Sequence, residues 1–291
     1  MPPRPSVDSV SARVFELAPG ATAWPTVALF LAAALLQLAC ARAGLSGSLP
    51  WPFAVLLCSC AAYTQFTVLH DAVHRSASRW LPLNEALGFF AALALFGPFD
   101  AFRRNHLHHH AHTNDPVEDP DFWVAGSPRI LGTVLRCLTM LEYHYLCYFT
   151  QLARRDGGWF RSVLTGACIA GAFVWAALSG RLEALVLYWF LPAQLGVMAL
   201  AFMFDYWPHR PHRVRGRMKD TAAIVPAYLD ALFLAQNLHL IHHLFPTIPW
   251  YRYRAAFRRL EPGLRAEDAL LWDMRTALAM LPPSLSMRPS P

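Results

Sequence analysis

Long apolar runs separated by polar clusters dominate the chain. Four runs are long enough to cross a bilayer, whose hydrocarbon core needs about 17–25 apolar residues. They cover residues 26–45, 49–69, 163–179 and 184–204. A fifth run, residues 86–99, has only about 14 residues, a length that favours a re-entrant or interfacial helix. The pattern predicts an all-α integral membrane protein with four transmembrane helices and one re-entrant or interfacial helix.

The segments outside these runs predict shorter surface elements. Residues 131–150 are apolar but interrupted by polar side chains, which is typical of a helix lying on the membrane surface. Residues 254–280 alternate charged and apolar positions and predict one surface helix, or two broken at Pro262. The tail, 282–291, is rich in Pro and Ser and is predicted to be disordered. We therefore expect a cytoplasmic N-terminal segment at 1–25, a membrane domain at 26–267, and a C-terminal surface helix and tail at 268–291.

The distribution of basic residues predicts the sidedness. Four spans place both termini on one side of the membrane. The two short loops on the other side, residues 42–50 and 180–183, hold only Arg42 and Arg181 of the 25 Lys and Arg residues. Because positive charge collects on cytoplasmic loops, the larger side is predicted to be cytoplasmic. The Arg-rich composition is typical of a bacterial protein, which predicts the inner membrane.

Composition agrees with a bilayer environment and excludes several functions. The chain is 55% hydrophobic and only 15% charged, whereas soluble proteins have about 25% charged residues. The net charge of +6 follows from the sidedness and indicates no nucleic-acid partner. The six cysteines form no C-x-x-C pair and the glycines form no G-x-G-x-x-G loop, so the chain carries neither an iron–sulfur nor a dinucleotide signature.

The 13 histidines are the main chemical signal, because all of them lie outside the predicted spans and on the predicted cytoplasmic side. On a helix with about 100° per residue, His70 and His74 are about 40° apart, and each H-x-x-H-H triplet falls within an arc of about 100°. The clustered histidines are His70 and His74, then His106, His109 and His110, then His209, then His239, His242 and His243. Asp205 precedes His209 by four residues and would share its helix face.

These nine histidines predict a metal site with room for two ions. A single zinc ion needs about four ligands, so nine imidazoles suit two metals with open positions for a reactant. Iron, copper, zinc and nickel all accept imidazole; a cysteine-free site at a membrane surface favours iron that handles oxygen. No H-E-x-x-H occurs, which excludes the zinc-protease signature. The alternative, a non-enzymatic metal-binding or transport protein, predicts ligands inside the spans instead.

The other histidines are predicted to have different roles. With His106 at 0° on a helix, His108 falls near 200° and His112 near 240°, away from the arc of the triplet. His144 and His212 stand alone, and lone histidines are usually exposed or hydrogen-bonded.

The histidine motifs resemble those of the membrane fatty acid desaturase superfamily. Within it, the chain is most similar to the bacterial β-carotene 3-hydroxylases of the desaturase-like kind. The resemblance lies in "HLHHHAHTNDPVEDPDFW" (106–123), "FDYWPHRP" (204–211) and "QNLHLIHHLFPTIPWYRY" (236–253). It implies a di-iron centre held by the nine clustered histidines, with no catalytic residue beyond these ligands. The related acyl-CoA desaturases have an Asn where this chain has Asp205, so the carboxylate is a further metal or water ligand candidate.

The resemblance also implies an activity and its partners. The expected reaction uses O2 and external electrons to hydroxylate a carotenoid β-ring, giving zeaxanthin. The alternatives are an acyl-lipid desaturase or hydroxylase, or a carotene ketolase, on the same scaffold. Because the chain has no redox signature of its own, a ferredoxin or similar donor is expected. Polar side chains near the motifs are candidates for orienting the ligands: Asp71, Asn105, Asp115, Asp119, Asp121, Asp230 and Asn237.

Overall fold

The computed structural model describes residues 7, 14, 16–18, 20–126, 129–153 and 157–281. The predicted tail, 282–291, and most of the N-terminal segment lie outside these residues. The described part is mostly helical, with two short strands, which confirms the predicted fold class. The helices are α1 (Trp24–Leu45), α2 (Trp51–Val73), α3 (Leu81–Ala94), α4 (Phe99–His112), α5 (Ile130–Leu138), α6 (Met140–Cys147), α7 (Trp159–Leu178), α8 (Leu182–Tyr206), α9 (Leu229–Phe233), α10 (His239–Leu244), α11 (Tyr253–Ala266) and α12 (Met274–Ala279).

The four predicted spans correspond to α1, α2, α7 and α8, each long and apolar enough to cross a membrane. Both α1 and α2 have proline in the first turn. The N–H that proline lacks would have no hydrogen-bond partner within the helix at this position. The main difference from the prediction is at the end of α2, which continues past Leu69 through Val73, so that His70 lies inside the helix. The helix can continue because the buried Asp71 accepts a hydrogen bond from Thr26 Oγ1 at 2.7 Å, and a satisfied polar group tolerates burial.

The described residues divide into two compact units. Unit 1 comprises the described residues within 1–18, 109–139 and 201–281. Unit 2 comprises Pro19–His108 and Met140–Leu200. In unit 2, α2 packs against α1, α3 and the Leu191–Leu200 part of α8. Of the apolar window of α2, 61% is buried, against 11% for α1, so α2 is the central helix and α1 faces lipid.

The short fifth run forms α3, which is followed by a sharp bend. With 14 residues, α3 is about 21 Å long and cannot cross the hydrocarbon core by itself, in agreement with the prediction. The axes of α3 and α4 differ by 96°, and the break contains Pro98 and a left-handed Phe96 with φ 64°. Gly88 allows this turn, because a Cβ there would lie 2.2 Å from the Phe99 ring.

Unit 1 is built around the C-terminal third of the chain. Its core contains Leu238, Ile241, Tyr253 and Leu260, all fully buried. Two parallel two-residue strands, β1 (Ala223–Ile224) and β2 (Leu271–Trp272), pair within this unit. Helix α11 is continuous through Pro262, so of the two predicted alternatives the break at this proline does not occur. The apolar face of α11 is buried in the core, and this packing outweighs the helix-breaking tendency of proline.

Candidate metal centre

Unit 2 brings together three histidines. Two belong to the first motif, His70 and His74, and the third, His106, is the first residue of the second motif. His70 lies in the last turn of α2, His74 directly follows that helix, and His106 lies on α4. The Nε2 atoms of His74 and His106 are 2.9 Å apart. All three side chains offer a ring nitrogen within 4.8 Å of the others. The predicted co-facial arrangement of His70 and His74 is therefore present, although His74 is beyond the helix end.

Unit 1 brings together four histidines from three separate segments: His109, His209, His239 and His243. Their candidate ligand atoms all lie within 4.8 Å of one another. Nε2 of His243 is 3.2 Å from Nε2 of His239 and 3.4 Å from Nε2 of His109. His243 also belongs to a second group with His110 and His242, whose Nε2 atoms are 2.8 Å apart.

These nitrogen–nitrogen distances fit shared coordination. Two imidazole nitrogens that each lie about 2.0–2.1 Å from one ion, at angles of 90° to 109°, are about 2.9–3.4 Å apart. A single pair at this distance could share one proton, but four nitrogens converging on one point cannot all be satisfied in that way. The pairs at these distances are therefore compatible with shared coordination of a metal ion: His74 with His106, His243 with His239 and with His109, and His110 with His242.

A buried nitrogen of His209 supports the same conclusion. Its Nδ1 donates to the carbonyl oxygen of Asp220 at 3.1 Å. Its Nε2 is buried and has no hydrogen-bond partner among the described residues, whereas buried polar atoms normally have one. Burial and the neighbouring His109 hold the pKa of His209 well below its usual value. Neutral imidazole is the form that binds metal, so the donor set fits an ion.

Two buried carboxylates face the other nitrogen of His109. Its Nδ1 is 2.8 Å from Asp119 Oδ1 and 3.3 Å from Asp121 Oδ2. Burial lowers the pKa of His109, but the carboxylates of Asp119 and Asp121 outweigh this effect and raise it to about 10. A metal ion that binds His109 through Nε2 must displace a proton from the ring, and the same two carboxylates would then stabilise the bound cation. Hydrogen bonds of this kind orient ligating imidazoles.

Tyr253 plays a comparable role for His242 and was missed by the sequence reasoning. The Tyr253 hydroxyl lies 3.1 Å from His242 Nδ1, and both residues are fully buried. Tyr253 follows His242 by 11 positions, but α10 ends at Leu244 and α11 begins at Tyr253, so the two residues do not share a helix and helical spacing does not connect them. The Asp220 carbonyl that holds His209 was missed for a similar reason, because any residue type could supply it.

The other five orientation candidates make contacts away from the ligand rings. Asp71 contacts Thr26, and Asn105 donates to the backbone carbonyl of His144. Asp115 accepts from two backbone N–H groups of its own turn and pairs with Arg215. Asp230 accepts hydrogen bonds from Nε and Nη2 of Arg254, both at 2.6 Å, and from the side-chain amide of Asn237. These contacts hold the segments that carry the histidines.

The prediction that Asp205 and His209 share a helix face is wrong. Helix α8 ends at Tyr206 in a π-helical turn, so His209 lies beyond the helix and α-helical spacing does not apply. Asp205 is half-buried and acts electrostatically on His109. It is in none of the close ligand groups formed by the described residues, so its role as a ligand stays a prediction.

The remaining histidines differ from the nine. His108 and His112 are half-buried on α4, and His112 lies near the exposed Glu118. His212 is buried, and burial together with Arg210 lowers its pKa to about 3. His212 is therefore a neutral interior residue; of the two roles expected for a lone histidine, exposed or hydrogen-bonded, the exposed one does not apply.

Replacement of His108 with glutamine is expected to be mild. Because the second motif is helical, His108 points away from the arc of His106, His109 and His110. We expect metal content and turnover within about twofold of the wild type, as for other partly exposed substitutions. Loss of a metal ion from this variant, measured by plasma mass spectrometry, would contradict the helical interpretation.

Replacement of Tyr253 with phenylalanine should weaken metal binding without unfolding the protein. It removes one hydroxyl and leaves His242 Nδ1 without that partner, and such losses lower metal affinity about 10–100-fold. The measurement is retention of the bound metal during titration with a chelator. Tyr251→Phe is the matched control, because that ring is half-exposed; equal retention in both variants would contradict a positioning role.

Comparison with known proteins assigns the family. A family model described as fatty acid desaturase matches residues 46–275. The chain belongs to the fatty acid desaturase family. The resemblance inferred from the histidine motifs is thereby confirmed, and the protein is an integral membrane oxidoreductase.

Three relatives match most of their own length, over 64% to 94% of this chain. An sn-1 oleoyl-lipid 12-desaturase of a Picosynechococcus species is 26% identical over 94% of this chain and 87% of its own length. Dihydrorhizobitoxine desaturase of Bradyrhizobium elkanii is 27% identical over 76% of this chain and 71% of its own. A beta-carotene ketolase of a Paracoccus species is 31% identical over 64% of this chain and 71% of its own. The family therefore includes relatives named for lipids and for carotenoids.

Proposed function

We propose that this desaturase-family member is a di-iron oxygenase that hydroxylates the β-ring of a carotenoid, converting β-carotene to zeaxanthin. The observation that carries the proposal is the resemblance of the histidine motifs to those of β-carotene 3-hydroxylases. The 31% identity with a beta-carotene ketolase supports a carotenoid substrate but not the choice between hydroxylation and ketolation. Each hydroxylation replaces one C–H bond with C–OH. It consumes one O2, two electrons and two protons, and the second oxygen atom leaves as water.

The histidine groups are the proposed iron ligands. His70, His74 and His106 would hold an ion in unit 2, and His109, His209, His239 and His243 would hold an ion in unit 1. His110 and His242 complete the ligand sets. Bound iron would supply O2 activation and attack on an unactivated C–H bond.

The chain's own contribution is to hold these rings in place. Asp119 and Asp121 fix the orientation of His109, and Tyr253 fixes that of His242. The Asp220 carbonyl fixes the tautomer of His209, so that Nε2 is the nitrogen left to bind. Burial excludes water from six of the nine rings, which protects the site from side reactions.

An acyl-lipid desaturase or hydroxylase is the second candidate. The observation that favours it is the match to an oleoyl-lipid desaturase over 94% of this chain. A carotene ketolase is the third candidate, favoured by the identity with the Paracoccus protein. All three reactions use the same ligands, so the nine histidines do not distinguish them.

Expression in cells that accumulate β-carotene decides among these activities. The proposal expects zeaxanthin in the extracted pigments, identified by chromatography and mass. New ketocarotenoids would instead indicate a ketolase. Unchanged β-carotene together with newly unsaturated acyl chains would sink the proposal in favour of the desaturase. Metal analysis of the same preparation should give about two irons per chain.

A separate electron donor, such as a ferredoxin, is proposed to dock on the basic segment 209–219. Arg213, Arg215, Arg217 and Lys219 in this segment are exposed, and a patch of one sign attracts an acidic partner. Lipid headgroup contact is the competing explanation for these charges. The segment follows α8, on the side predicted to be cytoplasmic, where such a donor would be available.

Charge reversal at Arg213 tests this docking surface. Arg213→Glu should raise the KM for the donor by up to about tenfold at low salt, with kcat unchanged, because exposed charges mainly affect association. Arg258→Glu, at an exposed position on α11, is the matched control. Equal KM values for the two variants would contradict a docking role for Arg213 and favour contact with lipid headgroups instead.

A further inference from the structure

An open groove runs along one face of α7 in unit 2, apart from the histidine groups. Its volume is about 510 Å³, within the range of about 300–1,000 Å³ that ligand pockets occupy. Ser162, Gly166, Ala170 and Phe173 form its floor, and Phe96 and Phe149 form its walls.

The groove is open above its floor because two floor residues are small. Gly166 and Ala170 are exposed and lie four positions apart, on the same side of α7. A Cβ at Gly166 would meet no heavy atom within 4 Å. The space above this part of the helix is therefore open and can be filled by a ligand or a larger side chain.

The groove presents hydrocarbon only, because its polar atoms are bonded within the protein. The Ser162 hydroxyl donates to the Tyr148 hydroxyl at 3.3 Å. The Tyr145 hydroxyl donates to the backbone carbonyl of Phe96. An occupant would find no unsatisfied donor or acceptor on these two residues, which favours an apolar ligand.

The Phe96 wall is held rigidly. Its φ of 64° is unusual for a bulky residue. Such a conformation persists only where the surroundings enforce it. Here the ring packs edge-on against Phe173, Trp189 and Phe190, with centroids 5.4, 4.9 and 5.2 Å away. The wall is therefore preformed and does not depend on an occupant.

The length and position of the groove indicate what fills it. From Ser162 to Phe173 the helix rises about 16 Å, close to the depth of one leaflet, which is half of the roughly 30 Å core. The groove begins one turn after the exposed Trp159, a residue type found at membrane interfaces. Arg161 lies at the same end, where its guanidinium forms an ion pair with Asp100 and lies 3.7 Å from Glu85 Oε2. The side chain is still 60% exposed, so its remaining N–H groups can bind a phosphate.

We propose that this groove binds one acyl chain of a membrane phospholipid whose phosphate lies near Arg161. A molecule that spans both leaflets, as an extended carotenoid does, would overrun a groove of one-leaflet length. The site is thus a lipid-binding site that does not depend on the proposed catalytic activity.

Filling the groove with a side chain tests this assignment. Gly166→Leu and Ala170→Phe both place apolar bulk in the open space. Gly171→Leu is the matched control, because a Cβ there also meets nothing within 4 Å, while the residue lies on another face of α7. The proteins are extracted into mild detergent from membranes of phosphatidylethanolamine and phosphatidylglycerol. Native mass spectrometry then counts the phospholipid retained per chain.

The wild type and Gly171→Leu should each retain about one more phospholipid than either groove variant. Equal retention in all four proteins would overturn the proposal, and so would a wild type that retains none. A retained isoprenoid or carotenoid in place of the phospholipid would also overturn it. Circular dichroism and gel filtration establish whether each variant is folded. If one of the two groove variants does not fold, the other still tests the proposal.

Discussion

Replacing His243 with alanine should remove iron from unit 1 and abolish turnover. His243 is the one histidine among the described residues of unit 1 that belongs to both groups, with His109, His209 and His239 and with His110 and His242. Loss of an outer partner lowers metal affinity about 10–100-fold, so loss of the ligand itself should exceed about 100-fold. Iron per chain, measured by plasma mass spectrometry, should fall by at least about one ion.

The control for this variant is His144→Gln. His144 is half-buried on α6, and its backbone carbonyl, not its ring, accepts the bond from Asn105. We expect wild-type iron content and membrane insertion from it. A His243→Ala protein that retained its full iron content and activity would remove His243 from the ligand set.

The positions of the long helices were predictable because the bilayer requires each span to be helical and apolar. A span must be helical and apolar for about 20 residues, so hydropathy alone located all four long helices. The ends were less predictable. Helix α2 extends through His70 and Asp71 because Thr26, 45 positions away in sequence, satisfies the Asp71 carboxylate. A contact at that separation leaves no local signal.

The histidine groups were predictable where the chain is helical and not elsewhere. The second and third motifs lie on α4 and α10, where residues three and four positions apart share a helix face. Which of these histidines lie close together also depends on the neighbouring segments, since His106 and His109 belong to different groups. The same rule failed for Asp205 and His209, because a π-helical turn and the helix end intervene. Tyr253 and the Asp220 carbonyl depend on tertiary packing, which spacing does not encode.

The acidic loop after α4 shows how packing separates residues that look alike. Asp115 and Asp119 lie in one Pro- and Asp-rich stretch, and the sequence did not distinguish turn formation from ligand orientation. In the structure, Asp115 accepts from the backbone N–H groups of Val117 and Glu118 at the surface. Asp119 is buried and binds His109. Turn chemistry and ligand orientation are both present, at different residues.

Replacing Asp119 with asparagine should weaken iron binding in unit 1 by about 10–100-fold. The substitution keeps the size of the side chain but removes the negative charge that lies 2.8 Å from His109 Nδ1. An amide can also present its NH2 group to the ring, in which case His109 would lose the acceptor that fixes its tautomer. Asp121, 3.3 Å from the same nitrogen, should retain part of the effect, so the double variant should lose more iron than either single one.

Asp115→Asn is the matched control, since it makes the same chemical change in the same loop at an exposed turn. In a chelator titration, the wild type and Asp115→Asn should retain the most iron and to the same extent. Asp119→Asn should retain less, and the double variant Asp119→Asn/Asp121→Asn should retain the least. If Asp119→Asn retained iron as well as Asp115→Asn, the carboxylate would serve only the loop, through its contacts with the backbone N–H groups of Asn114 and Asp121. The thermal stability of the iron-free protein separates these cases, because a loop role lowers it whether or not iron is bound.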